Sequence, residues 1–336
     1  MKHKISEQLT TSIAEGVRKM KKNIIRKIAT LVLATSLILT ATVSVAAKTA
    51  VNKGLVDIGD KSLYAKIMGN DSNVSVVFDS GYGDGIYTYS EDTTYETWSN
   101  IQSKIAKYAK TITYDRAGLG QSDKGVNRNP LSEEYIASFL NGEDMPYDES
   151  VFENGSGKTA IDRARDLHAL LEAAEVDGPY LLVVHSVAML EAVEFVKEYP
   201  GEVAGIVSVD GTSAVTMQKN IEFFRTYAPD AEDLFLGQFQ ENDGTLSEII
   251  QSSQQVMNAG DVLRDIPFTI LHPSDSGSGP EYQQMSDEVM RDWLTWSDYS
   301  KLIFVPDTSH YIMKDQPQYV VNAIKNMLKE INKGCK

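Results

Sequence analysis

Apolar and polar positions change period along this chain in an order that alternates strand with helix. Residues 56–69 alternate around a polar turn at Gly59-Asp60, which predicts a two-strand hairpin. VSVVF at 74–78 is a continuous apolar, β-branched run, the pattern of a strand buried on both faces. A Gly-rich turn and a helical stretch near 93–108 follow, then a strand at TITYD, 111–115. Residues 159–176 place Ile161, Ala164, Leu167, Leu171 and Ala174 at helical spacing. YLLVV (180–184) reads as a buried strand, followed by a helix that Pro200 stops. VAGIVSVD (203–210), PFTIL (267–271) and KLIFV (301–305) complete the strands, with helices at 285–296 and 316–332.

Such alternation predicts an α/β fold: a mostly parallel central sheet with helices on both faces. Two stretches break the rhythm. Residues 124–156 are acidic and irregular, and 211–265 are acidic and rich in aromatics (Phe223, Phe224, Tyr227, Phe235, Phe239). The second, with the first as a possible companion, is the expected inserted helical lid.

Charge separates the N-terminus from the body. Residues 1–47 hold eight Lys/Arg against two Asp/Glu, a net of +6, which leaves −21 on the rest of a chain whose total is −15. Residues 28–47 are uncharged and follow Lys21, Lys22, Arg26 and Lys27. Basic, then apolar, then small residues is the layout of a secretory signal. Twenty residues at ~1.5 Å each also suffice to anchor in a bilayer. The expectation is an exported protein, extracellular or tethered to the membrane, with the body at 48–336. Met20 offers a second start that would give a shorter signal. The acidic body excludes nucleic acid as a partner. The single cysteine, Cys335, permits no internal disulfide.

The chemistry starts at the junction of YLLVV with the next helix. Ser186 stands in Val184-His185-Ser186-Val187-Ala188, where a tight turn would lift its hydroxyl off the sheet edge. The helix N-terminus would aim free N–H groups at the same place. The bland alternative is a helix-capping serine. Of five histidines, His3 lies in the leader, His168 sits within a helix, His185 adjoins the serine and His272 closes a strand. His310 is on a loop after the last strand, where it can reach over the sheet edge as general base. Asp275 follows PFTIL on that edge and is the first choice of acid; Asp210, at the end of VAGIVSVD, is the alternative. Both keep the order Ser, Asp, His. The Gly-rich VVFDSGYGDG turn supplies an oxyanion donor, the Tyr82 N–H, to pair with that of Val187. No metal-binding cluster of the HExxH kind occurs.

From VVFDSGYGDG onwards, the body resembles the α/β-hydrolase superfamily, nearest to bacterial esterase-like and peptidase-like members. TYDRAGLGQSD (113–123), ARDLHALLEAAEVDGPYLLVVHS (164–186) and TSHYIMKDQP (308–317) carry the resemblance in order. It implies Ser186 as nucleophile, His310 as base, Tyr82 and Val187 as oxyanion donors, and Asp275 or Asp210 as acid. One departure stands out. The elbow pattern is G-x-S-x-G, and Val184 and Ala188 occupy the glycine positions. Val184 adds a branched side chain where crowding is worst.

Three functions follow. The first is a carboxylesterase-like serine hydrolase acting through an acyl-enzyme, without a cofactor. The second is an aminopeptidase or iminopeptidase acting on short peptides. Its motive is the lid at 211–265, whose nine Asp/Glu against three Lys/Arg would attract an α-amine. The third is a ligand binder whose turnover Val184 has disabled.

Overall fold

The computed structural model describes residues 53–89, 94–153, 156–239 and 243–334. The leader expected at 1–47, the start at Met20 and Cys335 lie outside the described residues. No helix among the described residues is long and apolar enough to cross a membrane.

Strands β1 (Lys53–Asp57) and β2 (Ser62–Met68) form the expected hairpin, closed by Ile58 N–H on the Lys61 carbonyl at 2.9 Å. Six more strands extend the sheet: β3 (Ser75–Asp79), β6 (Thr111–Tyr114), β7 (Tyr180–His185), β8 (Val203–Val209), β9 (Phe268–Pro273) and β10 (Ser300–Val305). The order is β1-β2-β6-β3-β7-β8-β9-β10. Every pairing from β6 onwards is parallel; β2 runs antiparallel to both neighbours. A separate ribbon pairs β4 (Tyr87–Tyr89) with β5 (Thr94–Glu96). It takes the front of the stretch expected to be helical, so helix α1 covers only Ser99–Ile105.

Period-two alternation divides the core into two layers. Val77, Ile112, Leu182, Val184, Ile206 and Ile270 face α3 (Ala160–Ala173) and α4 (Ala188–Glu198). Val76, Phe78, Leu181, Val183, Val207 and Leu271 face α1 and the C-terminal helix α10 (Pro317–Gly334). Both faces are covered, which is why these strands read as unbroken apolar runs. The expected α/β architecture is the observed one.

The irregular stretch 124–156 contains a helix the pattern did not reveal, α2 (Glu133–Leu140). Ser132 caps it by accepting the Tyr135 N–H at 3.2 Å. The insertion after β8 holds α5 (Thr216–Tyr227), α6 (Glu232–Leu236) and α7 (Leu246–Met257). Phe139 and Leu140 from α2 join Met217, Ile221, Ile249 and Ile250 from the insertion in a third apolar cluster. Val187, at the foot of α4, belongs to the same cluster, so both irregular stretches pack over the serine turn. Helix α8 (Pro280–Asp292) and the short α9 (Ile312–Asp315) complete the structure.

A buried ionic cluster ties this cap to the sheet. Arg116 Nη2 meets Asp243 Oδ2 at 2.8 Å, and Arg163 Nη2 meets Asp243 Oδ1 at 2.9 Å. Arg163 also holds Glu191 at 2.7 Å, and Arg116 holds Asp79 at 3.1 Å. All five side chains are buried. Burial, then the charge of Glu191, pushes the Asp79 carboxyl well above its ordinary range, which moves two cations and three carboxyls towards balance. Burial opposes the Asp243 charge, but the two guanidiniums outweigh it and hold the carboxyl below its usual value. Breaking one member of such a set leaves a buried charge uncompensated. Asp243→Ala is therefore expected to cost about 3–5 kcal/mol, read as a lower urea midpoint with little change in slope.

Candidate active site

The site begins at a backbone constraint. Strand β7 is buried along its whole length, and α4 is buried from Ala188 to Val196. Between them Ser186 takes φ +55°, a left-handed conformation that costs a non-glycine residue about 1–2 kcal/mol. The Ser186 carbonyl accepts the N–H of Met189 at 3.1 Å and of Thr212 at 2.9 Å. The second bond ties the turn to the loop leaving β8. Val187 precedes the first helical residue, so its N–H belongs to the end of the helix that no helical carbonyl serves. Val184 is buried in the same core cluster as Ala188, Met189 and Leu190, and Ser186 keeps its left-handed turn.

Asp210 lies on that loop, itself left-handed at φ +47°, with its N–H on the Leu271 carbonyl at 2.8 Å. Its carboxylate forks. Oδ2 meets His310 Nδ1 at 2.6 Å, and Oδ1 meets His272 Nδ1 at 2.7 Å. Of the two candidate acids, Asp210 is the one the structure brings against His310. Asp275 does not touch His310. Its Oδ1 accepts the Gly277 N–H at 2.9 Å, an Asx-type turn on an exposed loop. The reason is strand length: β9 continues through Pro273, so the place facing His310's partner falls to His272, and Asp275 lies beyond the edge.

His310 sits between β10 and α9. Ser309 fixes the loop by donating its N–H and hydroxyl to Asp315 Oδ2, at 2.9 and 2.5 Å. The His310 carbonyl accepts His185 Nε2 at 3.1 Å, and the two rings lie 4.4 Å apart. His185 thus braces the loop of the candidate base. Burial, then the neighbouring His310, keeps His185 well below the ordinary imidazole pKa, so it is neutral and donates from Nε2. Partial desolvation disfavours a charge on His310 as well. There the Asp210 hydrogen bond and charge outweigh it, and the His310 pKa is raised. Desolvation also works against the Asp210 charge. Bonds from both imidazoles overcome it and hold its pKa far below the usual carboxylate range.

The Gly-rich turn after β3 is held from below. Arg116 donates to the carbonyls of Ser80 and Gly81, both at 2.5 Å, and the Gly83 N–H reaches Asp243 at 2.6 Å. A planar trans peptide points its N–H opposite its C=O. With the Gly81 carbonyl on Arg116, the Tyr82 N–H is turned away from the ionic cluster. Glycine is required at 81: a Cβ there would stand 2.6 Å from His185 Nδ1 and 3.1 Å from Ser186 Cβ.

Ser186, His310, Asp210, Tyr82 and Val187 line one cavity of about 340 Å³. Residues of the cap close it: Met217, Asn220, Phe235, Gln238, Phe239 and Ile249. His272 is the residue sequence reasoning passed over. It is buried, and its Nε2 reaches Asp287 Oδ1 at 3.2 Å. Its one sequence signal is a strand-closing position at the edge that carries the site. His168, within α3 as expected, is half-buried and stacked on Tyr199 with centroids 3.7 Å apart.

No family model matches the chain. It is 25% identical over 253 residues to an uncharacterized Bacillus subtilis protein, YqjL, spanning 75% of this chain and 83% of that one. Among solved structures it is similar to a thermophilic esterase from Thermogutta terrifontis, at TM-score 0.52 and 15% identity, covering 83% of this chain and 98% of the other. A candidate epoxide hydrolase from Pseudomonas aeruginosa gives TM-score 0.55 and 14% identity, covering 84% and 97%. The protein has the α/β-hydrolase fold.

The forked carboxylate sets the titration of His310. Removing His272 withdraws a hydrogen bond from Asp210, leaving more of its charge for His310 and making the imidazolium more stable. In ring-nitrogen NMR titrations, His310 is expected to change charge above ~6.5, the ordinary imidazole value, and His272→Leu should move it higher still. A titration at or below that value in the wild type, or a downward move in the variant, would contradict the assignment.

Proposed function

We propose that the protein is a serine hydrolase cleaving a neutral carboxylic ester through an acyl-enzyme. The observation that carries this reading is the 2.6 Å bond from Asp210 to His310, beside a left-handed Ser186 in the same cavity. In this reading His310 Nε2 takes the Ser186 proton as Oγ attacks the ester carbonyl. Asp210 holds the ring with Nε2 towards the serine and stabilises the imidazolium. The N–H groups of Tyr82 and Val187 take the oxyanion. Collapse expels the alcohol with the proton from His310. Water, deprotonated by the same ring, then releases the acid.

The placement of acidic residues supports an ester over an α-amine. Glu222, Glu281, Glu288 and Asp292 lie in a separate groove of about 580 Å³, lined by residues of α5 and α8. Among the described residues lining the catalytic cavity, Asp210 is the sole carboxylate, and both imidazoles occupy it. A peptidase of the kind considered would need a free carboxylate for the substrate amine. Against the disabled-binder reading stands Val184, which is packed in the core without displacing the serine turn.

The decisive comparison uses the protein lacking residues 1–47, a fluorophosphonate probe and short-chain p-nitrophenyl esters. Ser186→Ala should abolish labelling, and Ser186→Ala and His310→Ala should abolish turnover. Asp210→Asn should lower kcat by about 10⁴, while Asp275→Asn stays near wild type. Activity that survives Asp210→Asn but not Asp275→Asn would reverse the assignment of the acid. A folded wild type with neither labelling nor turnover would sink the hydrolase reading.

Export is proposed with it, since the uncharged stretch 28–47 behind four basic residues suits a cleaved signal or a retained anchor. Fractionating cells that express the full chain should place the protein outside the cytoplasm or on the membrane. Recovery from the cytoplasm alone would refute this.

A further inference from the structure

The cavity contains polar atoms the triad does not use. Asn220 projects from α5 and is 6% exposed, yet its Oδ1 has no hydrogen-bond partner in the protein. It lines the catalytic cavity with Ser186 and His310. On the loop between β9 and α8, Ser276 lines the same cavity, and its Oγ is likewise buried without a protein partner. Tyr282 of α8 adds a phenol to that wall. Burial, then the Asp210 charge, raises its pKa, so it remains a neutral hydroxyl. A buried amide oxygen left unpaired loses the hydrogen bonds it had in water and regains nothing. One such atom is a local defect. Two, on residues of different elements that line one cavity with the candidate nucleophile, point to a polar subsite.

The charges of the cavity define what that subsite takes. Among the described lining residues, the ionisable groups are Asp210, His272 and His310, which bond to one another, and the phenols of Tyr82 and Tyr282. No cation is present for a substrate carboxylate or phosphate, and no free carboxylate for an amine. Asn220 Oδ1 is an acceptor, so it calls for a donor, while the Ser276 hydroxyl can give or take a proton. Around them, Met217, Phe235, Phe239 and Ile249 supply apolar wall.

We propose that Asn220 and Ser276 form a specificity subsite for a neutral hydrogen-bonding group on the substrate, a hydroxyl or an amide N–H, making the preferred substrate an ester of a hydroxylated acid or of a polyol. This rests on the serine-hydrolase reading above and narrows it. A site built to bond a substrate hydroxyl rejects the analogue lacking it, because its own polar atoms then stay unpaired.

Two matched pairs of substrates test this. On the acyl side, p-nitrophenyl 3-hydroxybutyrate is compared with p-nitrophenyl butyrate. On the alcohol side, glycerol monobutyrate is compared with propyl butyrate in a pH-stat. The wild type is expected to favour the hydroxylated member of at least one pair by about 10-fold or more in kcat/KM. Asn220→Leu, of similar size but without the acceptor, should bring that ratio close to one, and Ser276→Ala should lower it. The ratio is unaffected by the fraction of folded enzyme, and Ser276→Ala, on a loop, covers the case in which Asn220→Leu does not fold. Equal rates within both pairs in the wild type would overturn the subsite while leaving the hydrolase intact. So would a preference that survives in both variants. Absence of turnover on all four esters would overturn the hydrolase reading and the subsite with it.

Discussion

A buried strand must become a buried helix within two residues, and the rest of the site depends on that turn. Strand β7 is hydrogen-bonded on both sides, to β3 and β8, and α4 is enclosed almost all round. Neither element can shift to relax the junction, so Ser186 stays in left-handed backbone. Strain of this kind persists only where the surroundings over-determine it. Here they include the bond from Thr212 to the Ser186 carbonyl, which draws in the loop that carries Asp210. Nucleophile candidate and acid candidate are thereby placed by one another's backbone.

The second constraint is electrostatic. Asp210 is largely buried, with 15% of its side chain exposed, and desolvation alone would favour its neutral form. Donors on both oxygens reverse that, and only one of the donors is the candidate base. His272 holds the oxygen turned away from His310 and is itself held by Asp287, while Gln283 donates to Asp287 at 2.6 Å. The carboxylate cannot rotate without losing a bond in a buried place, where the loss is costly. Orientation of the His310 ring thus extends outwards from the cavity through α8.

The third is the link between cap and sheet. Asp243 belongs to the insertion after β8, yet it neutralises arginines from the β6 loop and from α3 and accepts the Gly83 N–H. The same Arg116 turns the carbonyls of Ser80 and Gly81 away from the cavity. The turn that would bind an oxyanion is therefore shaped by a charge contributed from the cap. Cap and turn are one electrostatic unit, although a long stretch of sequence separates them.

The sequence by itself determined the sheet and the turn that carries Ser186. Predominantly apolar runs at 74–78, 180–184 and 203–209 mark strands covered on both faces, and a parallel sheet places the strand ends, with Ser186, Asp210 and His310, on one edge. These are local signals, carried by periodicity and by position relative to a strand. Helix α2 was hidden because its acidic, Gly- and Asn-flanked surroundings mask a short apolar stripe whose partners lie in another segment. The choice between Asp210 and Asp275 was equally illegible. Both follow strands on the same edge in the same order, and only distances in space bring Asp210, and not Asp275, against His310. His272, Asn220 and the ionic cluster gain their meaning from atoms far away in the chain. Tertiary structure alone decided them, because hydrogen bonding and burial depend on distance in space, and local sequence encodes distance only within its own element.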